Sequence, residues 1–129
     1  MTLMSNEYDI IYDRFGAVRL RVLLDGRIIT WGGEHAGFIA GIAVYNYEGS
    51  HVGWLEGGIL RDLNGATVGF GTNPTDIPHP YLPYKQYLPY RGYIQYAPYF
   101  PYKGYLSYKP YKQFGWSDLD PESLFRSQQ

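Results

Sequence analysis

The chain has 129 residues, 45% of them hydrophobic and 19% aromatic, which is enough apolar side-chain area for one domain with its own core. Net charge is −1 and no cysteine is present, excluding disulfides, thiol catalysis, thiolate metal sites and lipid attachment through an N-terminal cysteine. Residues 1–76 hold five arginines against nine acids and residues 77–129 six basic groups against three acids, so an acidic half precedes a basic one.

Residues 1–7 carry neither the basic nor the apolar segment of a signal peptide. The longest apolar run, 36–45, falls far short of the roughly 20 residues a membrane span needs. A soluble, cytoplasmic protein without a transmembrane span is expected.

Residues 8–73 read as a four-fold repeat. Gly16, Gly33, Gly49 and Gly65 recur at near-constant spacing. Three residues before them stand Asp13, Thr30, Asn46 and Asp62, and five before stand Ile11, Ile28, Val44 and Leu60. Four residues after the last three anchors come Gly37, Gly53 and Gly69, each followed by a large aromatic: Phe38, Trp54 and Phe70. Asp or Asn bonding its own backbone, followed by glycine, makes a tight turn. Asp25-Gly26, Ala40-Gly41 and Gly57-Gly58 supply the turns between units. Each unit is therefore a strand, a turn and a strand. A unit of about 16 residues cannot bury a face alone, so four hairpins are expected to share a core around a pseudo-four-fold axis. Closure is preferred to an open row because it removes sheet edges. In this reading Phe38, Trp54 and Phe70 are equivalent packing residues of the shared core.

Residues 74–79 form a linker, and residues 80–114 are a tyrosine ladder. Tyr81, Tyr84, Tyr87, Tyr90, Tyr93, Tyr96, Tyr99, Tyr102, Tyr105, Tyr108 and Tyr111 fall three residues apart, and Phe114 continues the register. Pro80, Pro83, Pro89, Pro98, Pro101 and Pro110 each precede a tyrosine. A period of three suits polyproline II, whose rise of about 3.1 Å per residue spaces the rings by roughly 9 Å, too far to stack on one another. The rings are accordingly expected to face an apolar surface or a second aromatic row. Gly92 and Gly104, in the proline slot, are expected to bend the ladder where it docks. In residues 115–129, Asp120-Pro121-Glu122 reads as the capped start of a short helix that buries Leu124 and Phe125.

The repeat units 28–40, 44–56 and 59–71, the triplet tail and then Trp116-Ser117 with a short apolar end together resemble the bacterial four-fold β-flower domain family, over roughly residues 10–125. Members have triplets built on Pro-Leu-Lys, and Pro101-Tyr102-Lys103-Gly104-Tyr105 is similar, with tyrosine replacing the aliphatic residue. The resemblance implies a shallow, symmetric all-β assembly and brings no activity with it. A MORN-type repeat is the competing assignment, but its period is longer and its Tyr-x-Gly-x-Trp core is missing.

His35 and His51 follow turn glycines at equivalent positions, but their counterparts Val18 and Thr67 are no zinc ligands, so no metal is expected. Asp13, Asn46 and Asp62 are explained as turn formers, Glu48 and Glu56 as solvated edge groups, and His79 as a linker residue. No phosphate loop or nucleophile motif occurs, so neither catalysis nor a cofactor is expected. The candidate binding site is the ladder: its tyrosines from Tyr84 to Tyr108, with Lys85, Arg91, Lys103, Lys109 and Lys112. The expected function is a non-enzymatic binding or assembly module, with the ladder packed on its own platform, a protein partner or another copy. The alternative is a lipid- or single-strand nucleic-acid binder using the tyrosine and Lys/Arg faces. The plain expectation for the cations is docking onto the acidic half of the same chain.

Overall fold

A computed structural model describes residues 3, 6–96 and 102–126. Eight antiparallel strands, β1 (Glu7–Tyr12), β2 (Val18–Leu23), β3 (Arg27–Thr30), β4 (His35–Ala40), β5 (Ala43–Asn46), β6 (His51–Glu56), β7 (Ile59–Asp62) and β8 (Thr67–Phe70), pair in chain order. The barrel closes where Tyr12 of β1 meets Phe70 of β8. A short helix, α1 (Pro121–Arg126), follows the ladder.

The four turns share one construction. Asp13, Thr30, Asn46 and Asp62 each accept the amide of the glycine three residues on (3.0 Å) and donate to the carbonyl four residues on (2.8–3.0 Å). The Oδ1 atoms of Asp13, Asn46 and Asp62 each accept two further turn amides, those of Phe15 and Ala17, Glu48 and Ser50, and Asn64 and Ala66. Such side-chain bonds are local, so each turn is specified by its own few residues.

Alternate strand residues face opposite ways, and here both faces are buried. Ile11, Ile28, Val44 and Leu60, at equivalent repeat positions, meet inside the barrel with Leu20, Val22, Val52 and Leu55. Leu124 and Phe125 of α1 join this interior. Their room comes from the glycines of the repeat: a Cβ on Gly37 would press on Phe125 and one on Gly69 on Pro121. Asp120 caps α1 through the Ser123 amide (2.8 Å), and its carbonyl accepts the Leu124 amide (3.0 Å), as Asp-Pro-Glu predicts.

Phe38, Trp54 and Phe70 are buried but do not belong to that interior, which corrects the expectation of a shared core. They lie on the outer wall, where Phe70 stacks on Tyr12 (5.4 Å) and Phe38 on Tyr45 (5.1 Å), and Trp54 is paired in register with Arg61. Two outer clusters result, one of Ile10, Tyr12, Val18, Trp31, Ile59 and Phe70 and one of Phe38, Ala43, Tyr45 and Trp54. Leu82, Leu88 and Trp116 cover the first. The position still carries stability: Trp54→Ala is expected to lower unfolding free energy by about 3–5 kcal/mol. A chemical denaturation curve coinciding with that of wild type would show that this outer layer is not packed.

Candidate functional site

The described residues of the ladder are neither helix nor strand and run across the barrel's turn end with a fixed register. Backbone amides nine residues apart dock on the four turn glycines: Gln86 donates to Gly16 O (2.8 Å), Gln95 to Gly33 O (2.9 Å), Gly104 to Gly49 O (2.6 Å) and Gln113 to Gly65 O (3.0 Å). At the same four points the carbonyls of Tyr84, Tyr93, Tyr102 and Tyr111 lie so close that a Cβ on the turn glycine would overlap them. Glycine is thus required twice, for close approach and for a positive φ of 83–99°.

Two more amides complete the pattern. Gly92 donates to Trp31 O (2.9 Å) and Ser107 to Nδ1 of His51 (2.9 Å). Gln86, Gly92, Gln95, Gly104, Ser107 and Gln113 are the ladder residues that stand in the proline slot without being proline. Proline has no N–H to donate, so the interruptions mark where the ladder is tied down. No sharp bend lies at Gly92 or Gly104, where bends are expected, and neither has a positive φ. Their role is closeness, since a Cβ there would press on Gly32 O or Gly49 O.

Most ladder cations turn inward. Arg91 lies over Trp31 (4.8 Å) and pairs with buried Glu7 (2.8 Å), which Arg21 also holds (3.1 Å). Lys85 reaches Thr72 O (2.9 Å) over the Tyr12 ring. Lys109 pairs with Glu56 (2.6 Å) and Lys112 with Asp76 (2.6 Å) and Glu56 (3.5 Å). Glu56 is therefore an ion-pair partner rather than a solvated edge group. Lys103 has no ion pair among the described residues.

Both repeat histidines serve the docking. His35 donates from Nε2 to Gln95 O (2.6 Å), and His51 donates from Nε2 to Gly53 O (2.8 Å) while accepting the Ser107 amide. Burial pushes His51 below the usual 6.5, the Gly53 carbonyl opposing this. Protonating Nδ1 would set a donor against the Ser107 N–H. Unfolded His51 binds its proton more readily than folded, so its contribution is complete above pH 6.5 and is lost as pH falls through the lower folded value.

Two acids add a second limb. The Lys109 hydrogen bond lowers Glu56 from 4.5. Burial would raise Asp76 from 3.8, but the Lys112 hydrogen bond and charge together with Arg61 lower it. Their contribution is present above those values and lost below them. His51→Gln is expected to flatten urea stability between pH 6.5 and 4.5 and to leave the more acidic limb intact. A variant as pH-dependent as wild type in that window would contradict the His51 assignment.

The tyrosine rings do the opposite of what the spacing argument expects. Tyr81, Tyr84, Tyr87, Tyr90, Tyr93, Tyr96, Tyr102, Tyr105, Tyr108 and Tyr111 are 85–101% exposed, so they face neither the barrel nor one another. Tyr99 lies outside the described residues, as do Pro98 and Pro101. The ladder docks by its other two faces, through slot amides and through residues that follow a tyrosine, such as Leu82, Leu88 and Arg91.

The sequence model of the 4-fold beta flower protein family matches residues 9–125, from β1 through the ladder into α1. The chain belongs to that family. Neither a curated protein nor a solved structure matches it. In this beta flower protein the matched span takes in the hairpins from Asp9 onward, the nine-residue docking steps and α1 as far as Phe125. Among the described residues no helix is long and apolar enough to cross a membrane.

Proposed function

We propose that this beta flower protein is a non-enzymatic binding or assembly module whose contact surface is the outward row of tyrosine rings, carried on a ladder of polyproline II geometry. The observation that carries the reading is the combination of ring exposure with a backbone held at regular intervals. Ten exposed aromatic side chains on a tethered backbone form an apolar surface of the kind that marks interaction sites. Tyrosine suits such a surface because its ring offers apolar area and its hydroxyl a hydrogen bond. Ordering costs are low, since the docked backbone is already fixed.

The chemistry of the remaining groups agrees. Asp13, Asn46 and Asp62 are spent on turns, and His51 has both ring nitrogens engaged. Lys85, Arg91, Lys109 and Lys112 are occupied within the chain, which favours a protein partner over an anionic lipid or single-stranded nucleic acid. A chain without cysteine is compatible with the reducing cytoplasm, where we place the module.

The reading is tested by chemical labelling of tyrosine in dilute purified protein and in native cell extract. Protection of Tyr84, Tyr93 and Tyr105 in extract, retained at high salt, is expected. Equal labelling in both would refute a contact surface. Protection lost steeply with salt would assign the surface to an anionic partner, because phosphate contacts weaken with salt and apolar ones do not.

A further inference from the structure

The tyrosine row has a period, and a partner whose side chains interleave with it over several rings must share that period. We propose that the partner is a second copy of this chain, with the rings of residues 81–96 in one copy interleaved with the same row in the other. This deepens the preceding reading and rests on it.

At a rise of about 3.1 Å per residue, rings three residues apart stand roughly 9 Å from one another. An identical row set into the gaps brings each ring to about half that distance, within the roughly 4.5–7 Å range of aromatic pairs. A ligand of any other repeat falls out of register after two or three rings. The described rings show that the gaps are open: Tyr84, Tyr90 and Tyr93 are 96, 101 and 98% exposed, values incompatible with a ring already stacked on a neighbour.

Size and charge fit the same partner. Residues 81–96 present six tyrosines, and six rings burying roughly 150 Å² each supply on the order of 900 Å², close to the roughly 800 Å² per partner of a standard interface. Two copies approach without like-charge repulsion between ladders, since Lys85 and Arg91, the cations of this stretch, are directed onto Thr72 and Glu7 of their own barrel. The contact needs no rearrangement, because Gln86 and Gln95 already tie the row to Gly16 and Gly33.

Sedimentation velocity of the full chain, from low to high micromolar concentration and at physiological and high salt, tests the proposal. Wild type is expected to self-associate to a similar extent at both salts. The Tyr84→Ser/Tyr90→Ser variant should associate about tenfold more weakly or less, as loss of interface aromatics does, with an unchanged melting temperature because both rings are exposed. Tyr87→Ser/Tyr93→Ser provides a second variant in the same row. A wild type that stays monomeric throughout overturns the second copy as partner; if its tyrosines are nonetheless protected in extract, the binding reading survives with a different partner. Association that persists in both variants, or that disappears at high salt, also overturns the proposal.

Discussion

A chain ending at Asp76 is expected not to fold. It keeps all eight strands but loses α1, whose Leu124 and Phe125 complete the interior, and the ladder residues Leu82 and Leu88 that cover the outer wall. Burying a leucine or phenylalanine is worth about 1.5–3 kcal/mol, and each ladder amide bond about 1 kcal/mol. Together these reach on the order of 10 kcal/mol, comparable with the roughly 5–15 kcal/mol that holds a domain together. Stranded Tyr12, Phe70 and Trp31 would be left facing water. Far-ultraviolet circular dichroism and a denaturation curve decide the point. A cooperative transition at the wild-type midpoint would mean that ladder and helix are accessories to a self-sufficient barrel.

Alanine at Gly33 should be far more damaging than alanine at Gly41, although both glycines have positive φ. Left-handed backbone costs a residue with a Cβ about 1–2 kcal/mol, and that is the whole cost at Gly41, where nothing lies within 4 Å of the added carbon. At Gly33 the same carbon overlaps the Tyr93 carbonyl and crowds the Ile94 amide. Overpacking adds about 1–3 kcal/mol, or the ladder lifts off and the Gln95 amide bond is lost with it. Gly33→Ala is thus expected to cost about 2–5 kcal/mol in urea unfolding and to deprotect the amide of Gln95 in hydrogen exchange. Equal costs for the two substitutions would show that the ladder does not rest on this turn.

Local chemistry made the barrel legible in the sequence. A turn of Asp13, Asn46 or Asp62 closed by glycine needs only its own few residues, and four copies of one hairpin close for want of a better way to hide edges. The Asp120 cap was readable for the same reason. What alternation could not tell is which set of strand residues faces inward, because here both sets are apolar. Ile11 and Tyr12 are adjacent and both buried, one inside and one beneath the ladder.

The candidate site was half legible. Period three showed that the tyrosines share a face but not whether that face docks, and expecting it to dock assumed that apolar rings must find the barrel. The outer wall is instead covered by residues that follow a tyrosine, such as Leu82, Leu88 and Arg91. The decisive signal lay in the breaks of the proline pattern: Gln86, Gln95, Gly104 and Gln113 retain an N–H at nine-residue intervals, one for each turn glycine. Matching those four breaks with Gly16, Gly33, Gly49 and Gly65 would have set the register from sequence.

Residue-resolved hydrogen exchange combined with tyrosine labelling on dilute full-length protein tests the central claim, a docked backbone beneath outward rings. The amides of Gln86, Gly92, Gln95, Gly104, Ser107 and Gln113 should be protected while Tyr84, Tyr87, Tyr90, Tyr93, Tyr96, Tyr102, Tyr105, Tyr108 and Tyr111 label at the rate of free tyrosine. Unprotected amides would mean that the ladder is not docked, and protected rings in the dilute protein would mean that it docks by the opposite face.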